Sequence, residues 1–356
     1  MPRHLPAGPR QCYCPGHLEP YDPVPYFTSA ALPLPPLPLQ AGPIYPPGYG
    51  PADPLSALPI ARPRVWTVFV AFGVAFIAGV VAGSIVPIMM ILVGNGGKFE
   101  NGEALNEAIQ AGIVRPVILL SSGAATQAML LVTVLSAAIL SPVPLRRRLR
   151  LNPSTLSPLG YLITPIGAMS VSFLFSGVVA LLGIHQSGTL KLMGDAFKTL
   201  TPTELAFAIA IVGVGPGFAE EFLFRGYAQT RLVQRWGRWP AIWITATLFG
   251  VMHMDLLQSP FAFGFGIYLG YLAEKSGSIR PTMVCHAVNN SLMVVVGWLA
   301  GAGASEPTRQ EGAIIAVVSL AVLLLCIVYV RVRVRPPANN DILAPLLPEP
   351  PFPAAA

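Results

Sequence analysis

The chain has 356 residues, of which 53% are hydrophobic and 11% charged, with a formal net charge of +6. Soluble domains carry about 25% charged residues, so this chain lacks the charge to cover a globular surface, and a soluble protein is excluded. Its arginines stand at the ends of apolar blocks and form no continuous basic face, which argues against a nucleic-acid partner. The composition predicts an all-α fold, a polytopic transmembrane helical bundle of about eight spans with disordered proline-rich tails. Cys12, Cys14, Cys285 and Cys326 are too scattered for a disulfide framework. No apolar core followed by a small-residue cleavage site marks a signal peptide, so targeting falls to the first span.

Residues 1–62 read as a proline-rich cytoplasmic tail; residues 1–60 alone hold 17 of the 38 prolines. Such a segment samples extended and polyproline II conformations, and its Leu32–Pro38 run suits a partner with an aromatic groove. Cys12, Cys14 and His17 are metal-ligand types, but three residues fall short of the four protein ligands of a structural zinc site. Residues 63–150 read as two N-terminal spans. Arg62 and Arg64 precede an apolar run over 66–93; a mixed, slightly acidic loop follows over 94–115; a second run covers 116–141 and stops at Pro142 and Pro144, before Arg146, Arg147, Arg148 and Arg150.

Residues 151–303 read as the core. A third span is predicted over 156–184, then a polar loop with His185, Lys191, Asp195 and Lys198. Thr201-Pro202-Thr203-Glu204 is a helix start: Thr201 caps, Pro202 suits the first position, and Glu204 can reach back. The fourth span runs to about Phe224, and Arg225, Arg231, Arg235 and Arg238 read as a basic connection. Pro240 opens a fifth span ending at His253. A sixth, rich in glycine, ends at Glu274 and Lys275, taken as interfacial charges. A seventh runs from Pro281 to about Ala300. Residues 304–335 supply the eighth span, over 313–330, and a second proline-rich tail occupies 336–356. The basic connections fall on one side of an eight-span arrangement, which places both termini in the cytoplasm.

Chemistry concentrates in Gly215–Gly226. Glu221 and Arg225 are four apart, share a helix face and can pair. Glu220 is rotated by about 100° from Glu221 and has no partner on its own helix. It must find one elsewhere or be held neutral, and a carboxylate so placed suits general acid–base work. Pro216 lacks an N–H, which frees the carbonyl near Val212 and should loosen the helix before the acid pair. Phe249 and His253 share one face of the fifth span; His286 and Asn290 share one face of the seventh. A single histidine on an apolar helix is usually a packing residue. Glu220, His253 and His286 on three separate helices point instead to a meeting place inside the bundle. Cys285 and His286 are adjacent and point about 100° apart, so they are not a thiol–base pair. Asp255 reads as a loop or capping residue.

Glu220-Glu221-x-x-x-Arg225, Phe249-x-x-x-His253 and His286-x-x-x-Asn290 together resemble the CPBP family of intramembrane proteases. That family includes type II CAAX prenyl endopeptidases and Abi-like bacteriocin-processing proteins, and the resemblance covers residues 150–300. It implies that Glu220 is the general base activating water and that His253 helps hold that water. It further implies that His286 and Asn290 position the substrate carbonyl and stabilise the oxyanion. Glu221 and Arg225 would be structural support. The family carries a metalloprotease label, and Glu220, His253 and His286 are acceptable ligands for a divalent metal such as zinc. No HExxH is present, and a glutamate–histidine water site also works without metal.

The expected function is an intramembrane endopeptidase cutting membrane-associated peptides or CAAX-like protein termini. It would sit as a multi-pass protein in a bacterial inner membrane, with lipid and a peptide or protein substrate as partners. A non-catalytic scaffold or immunity protein of the same fold is one alternative; a transporter is another, weakened by the lack of internal repeats.

Overall fold

The computed structural model is described over residues 64–141, 143–185, 188–301 and 307–336. Both proline-rich tails, and with them Cys12, Cys14 and His17, lie outside those residues.

The described residues form helices and connecting turns. In chain order these are α1 (Trp66–Gly94), α2 (Gly102–Ile113), α3 (Pro116–Ile139), α4 (Leu145–Arg148), α5 (Pro158–Leu182) and α6 (Gly188–Lys198). There follow α7 (Pro202–Trp236), α8 (Arg238–Met252), α9 (Gln258–Ser276), α10 (Arg280–Ala300) and α11 (Arg309–Arg333). Among the described residues six helices are long and apolar enough to cross a membrane: α1, α3, α5, α7, α10 and α11. The all-α polytopic architecture is as expected, and the difference lies in the count. The predicted fifth and sixth spans are the helices α8 and α9. At 15 residues, α8 is about 22 Å long, short of the ~30 Å hydrocarbon core.

Two stretches read as loops fold as short helices. Asn101 caps α2 by accepting the Ala104 N–H at 2.8 Å. In α6 Asp195 pairs with Lys191 and, at 3.1 Å, with Lys198; the two lysines hold the exposed Asp195 carboxyl below its ordinary value, hydrogen bonding to Lys191 contributing most. One-turn i,i+4 pairing of this kind supports the exposed face of the helix, while Met193 and Phe197, four apart on the other face, pack into the core.

The helix start at Thr201 is present as a capping box: Thr201 accepts the Glu204 N–H, and Glu204 accepts from the Thr201 N–H at 2.9 Å. From there α7 runs 35 residues to Trp236, well beyond the predicted end at Phe224. Arg225, Arg231 and Arg235 are thus part of the helix and not a connection. Consequently Glu220 sits mid-helix.

The helix α7 is not uniform. Two wide π-helical stretches, Ile209–Val214 and Phe222–Gln229, bracket an α-helical segment Gly215–Glu221. Pro216 explains the first of these. It has no N–H to give the Val212 carbonyl, and the Asn290 amide donates to that carbonyl instead, at 3.4 Å. Such insertions are frequent at functional sites.

The pairs α1–α3, α5–α11 and α8–α9 pack lengthwise, and α10 crosses the first half of α7. Gly213 and Gly217, one turn apart, make that crossing close. A Cβ at Gly217 would lie 3.0 Å from the Met283 carbonyl oxygen, and one at Gly213 would lie 2.9 Å from the Ser291 Cα. Small residues four apart let membrane helices approach backbone to backbone. Gly213→Ala is expected to force the two helices apart and lower stability by about 1–3 kcal/mol, read as an earlier thermal unfolding transition in detergent; an unchanged transition would show that the crossing yields without cost.

Candidate active site

The close crossing of α7 and α10 sets the acid pair of α7 against the imidazole of α10. Glu221 and Arg225 pair at 2.8 Å, both essentially inaccessible to solvent, as their four-residue spacing anticipates. Arg225 also donates to the Gly266 carbonyl of α9 at 3.3 Å and stacks over the Phe249 ring of α8 with 4.6 Å to its centre. These partners offset much of the cost of burying the guanidinium, while its Nε and Glu221 Oε2 stay enclosed without a hydrogen bond. The same Glu221 oxygen, Oε1, also meets His286 Nδ1 at 2.9 Å. An Arg-paired carboxylate accepts only, so Nδ1 carries the hydrogen. His286 Nε2 then faces the other way, 3.8 Å from Glu220 Oε2. The supporting carboxylate thereby sets which nitrogen of His286 is presented to Glu220.

Glu220 finds the partner that its own helix cannot provide. Gln127, on α3, donates its amide to Glu220 Oε1 at 2.7 Å. One carboxylate oxygen is thus tied, and the other looks toward His286. The 3.8 Å gap is too long for a direct hydrogen bond and wide enough for an oxygen atom lying to one side to bond both groups.

Phe249 anchors the third wall. Its ring stands edge-on to His253 on its own helix, with centroids 5.0 Å apart, and to His286 across the site, at 5.9 Å. Phe265 closes on His286 from α9 at 5.3 Å. His253 ends α8, half-buried, with Nδ1 on the Phe249 carbonyl at 2.8 Å. This leaves Nε2 free of that bond. The turn beyond it is held by Asp255, whose Oδ1 accepts the N–H groups of Leu257 and Gln258 at 2.9 Å each; the capping role expected for Asp255 is what the structure shows.

Asn290 lies one turn beyond His286. Its amide nitrogen reaches the Val212 carbonyl and its Oδ1 accepts from Asn289 at 3.1 Å. Asn289, buried, accepts in turn from Ser172 on α5 at 2.7 Å. Asn290 is therefore oriented by a relay spanning α5, α10 and α7, with the second hydrogen of its amide left over.

The structure thus brings Glu220, Glu221 and Arg225 together with His286 and sets the Arg225 guanidinium and the rings of His253 and His286 against Phe249, with Asn290 a turn beyond His286. It does not assemble the zinc set. Among the described residues no three His, Cys, Asp or Glu side chains gather as a metal ion requires. Glu220 Oε1 holds the Gln127 amide, and the Nδ1 atoms of His253 and His286 hold a backbone carbonyl and Glu221. Those bonds leave Glu220 Oε2 and both Nε2 atoms in the orientation a metal would use, but the three groups do not converge closely enough to hold an ion. Cys285 is wholly buried in the main core, as expected of a packing residue.

Glu274 corrects another expectation. It is not an interfacial charge but a buried one, paired with Arg150 and accepting from Gln229 at 2.8 Å. Gln127, Asn289 and Ser172 were not singled out from the sequence. The signal for Gln127 was present: it is an uncharged amide in an apolar span, and polar groups at such depth seek one another.

A family model described as type II CAAX prenyl endopeptidase Rce1-like matches residues 202–292. That segment carries Glu220, His253, His286 and Asn290, and the match supports the chain's membership of the CPBP family of intramembrane proteases. No curated protein and no solved structure shows significant similarity to the chain.

Proposed function

We propose that this integral membrane protein of the CPBP family is an endopeptidase acting on membrane-associated peptides or CAAX-like protein termini, with its site open toward the cytoplasm. The observation that carries this reading is the approach of Glu220 Oε2 to His286 Nε2, 3.8 Å apart, with Phe249 and Phe265 edge-on to the imidazole.

In this mechanism Glu220 is the general base. It takes a proton from a water molecule as that water attacks the scissile carbonyl carbon. His253, at the end of α8, helps hold the water. His286 and Asn290 face the carbonyl oxygen, where negative charge develops. With its Nδ1–H pinned to Glu221, His286 presents Nε2 to that oxygen and donates to it when a second proton is bound there. Collapse of the tetrahedral intermediate returns the proton from Glu220 to the leaving amine. Glu221, Arg225 and Phe249 hold these groups in register. Both termini lie in the cytoplasm in this reading, as the arginines at the ends of α1, α3, α7 and α11 favour.

The test is hydrolysis of a membrane-tethered peptide by purified protein in liposomes, with prenylated and unprenylated CAAX termini compared. His253→Ala is expected to lower the rate by at least about 10²-fold, while Cys285→Ala leaves it within about twofold. Undiminished cleavage by both His253→Ala and Glu220→Gln would remove the basis of the proposal.

Gln127 has a measurable part in this mechanism. It positions Glu220 and touches no reacting atom. Gln127→Ala is expected to lower kcat by up to about 10²-fold with KM little changed and to move the acid limb of the pH–rate profile, since an N–H bond to the ionised base is lost. Gln127→Asn, too short to span the same gap, should behave alike. A uniform loss of folded protein with an unaltered pH profile would reduce Gln127 to a packing residue.

A further inference from the structure

Away from the active site, two arginines are buried side by side without an acid. Arg148, at the end of α4, is 7% exposed and Arg231, in α7, is 9% exposed. The two helices are held together at Gly226, where a Cβ would lie 2.9 Å from the Leu149 carbonyl oxygen. Leu149 follows Arg148, and Gly226 lies one residue before Tyr227. Arg231 stacks on the Tyr227 ring with 3.9 Å to its centre, and its Nη1, fully enclosed, has no hydrogen-bond partner. Arg148 points both Nε and Nη2 at the one Ser141 hydroxyl. Burial, and after it the charge of Arg231, pushes the Arg148 guanidinium down to about 10. No carboxylate among the described residues pairs with either arginine. Two like charges taken out of water and left without a counter-ion are unfavourable, so the arrangement calls for an anion.

The surroundings say at what depth this happens. Trp66, Trp236, Trp239 and Trp243 are all about half exposed. The start of α1 packs on the same end of α7 and α8, with Val68 against Ala228, Leu232 and Ala241. Exposed tryptophans of this kind mark the level of lipid headgroups. Arg146, Arg235 and Arg238 are exposed nearby in sequence and add positive potential. Basic sites between helices at this level suit phosphate groups; Arg231 Nη1 and the Arg148 hydrogens not given to Ser141 are donors of the kind that bind phosphate oxygens.

We propose that Arg148 and Arg231, backed by Tyr227 and Ser141, form a binding site for a phosphate group at the basic end of the bundle. The phosphate of an anionic lipid and free inorganic phosphate share this chemistry.

The test follows thermal unfolding of the full chain in detergent with added phosphatidylglycerol, with diacylglycerol (the same tails without phosphate), and with inorganic phosphate against chloride at equal ionic strength. Phosphatidylglycerol is expected to raise the transition and diacylglycerol to leave it unmoved. A rise with inorganic phosphate that needs the two arginines would also support the site and identify the free ion as its occupant. Arg148→Gln and Arg231→Gln should each lose most of the rise, while Arg335→Gln keeps it. If a glutamine variant does not fold, Arg231→Lys retains the charge without the fork and should need roughly tenfold more lipid for the same rise. Equal responses to phosphatidylglycerol and diacylglycerol, or an Arg231→Lys curve superimposable on that of the unaltered chain, would overturn the proposal. So would protection by a peptide carboxylate with none by either phosphate source.

Discussion

Glu220→Gln is expected to abolish peptide hydrolysis, lowering the rate by about 10²–10⁴-fold, while the protein unfolds at nearly the same temperature. The substitution keeps the shape of the side chain. A glutamine carbonyl at this position can still accept the Gln127 amide that now bonds Glu220 Oε1 at 2.7 Å. What is lost is the one oxygen, facing His286, that can take a proton from water. Cleavage of a membrane-tethered peptide in liposomes reads the first expectation and thermal unfolding reads the second. A rate within a few-fold of the unaltered enzyme would transfer the base to another group. A large loss of stability would mean that the ionised carboxylate holds the helices together, and the activity loss would then say little about chemistry.

The second large effect is on folding. Arg225→Met is expected to destabilise the protein by about 3–5 kcal/mol, because it leaves Glu221 as a buried charge whose main counter-ion is gone. The guanidinium also supplies the Gly266 carbonyl and the Phe249 face, so α7, α8 and α9 all lose a contact. The double change Glu221→Met with Arg225→Met removes both charges together and should regain much of that stability, since a buried ion pair is often replaceable by apolar side chains of similar volume. It should not regain activity, because His286 Nδ1 no longer has Glu221 to hold it. Unfolding in denaturing detergent and peptide cleavage, measured on the same three proteins, separate the two roles. If the double variant is as unstable as the single one, the pair is held for more than charge balance. If the double variant cleaves normally, Glu221 does not orient His286.

The parts of this molecule that were legible in sequence are those decided within one helix. The four-residue spacing of Glu221 and Arg225 states their pairing, the missing N–H of Pro216 states that the Val212 carbonyl must look elsewhere, and Thr201 to Glu204 spell out the capping box. The spacing of the three histidine- and acid-bearing motifs also pointed to one meeting place. What sequence could not show was decided between distant segments. Glu274 looks like a span end because Lys275 follows it, and only the fold brings Arg150 to it. The arginines of α7 look like a loop because apolar content drops after Phe224. They stay helical because Arg225 is paired inside the bundle and Arg231 is covered by Tyr227. Gln127 is one amide in an apolar run, and nothing local says which of its neighbours it serves.

That amide has an implication for anyone seeking a minimal enzyme. Every motif residue falls within 202–292, yet the group that steadies Glu220 is supplied from 93 positions upstream. An excised fragment, or a chimera that exchanges the first two apolar helices for those of another membrane protein, would retain the whole signature and still leave Glu220, the proposed base, untethered. Boundaries drawn around the recognisable portion would therefore cut through the working apparatus.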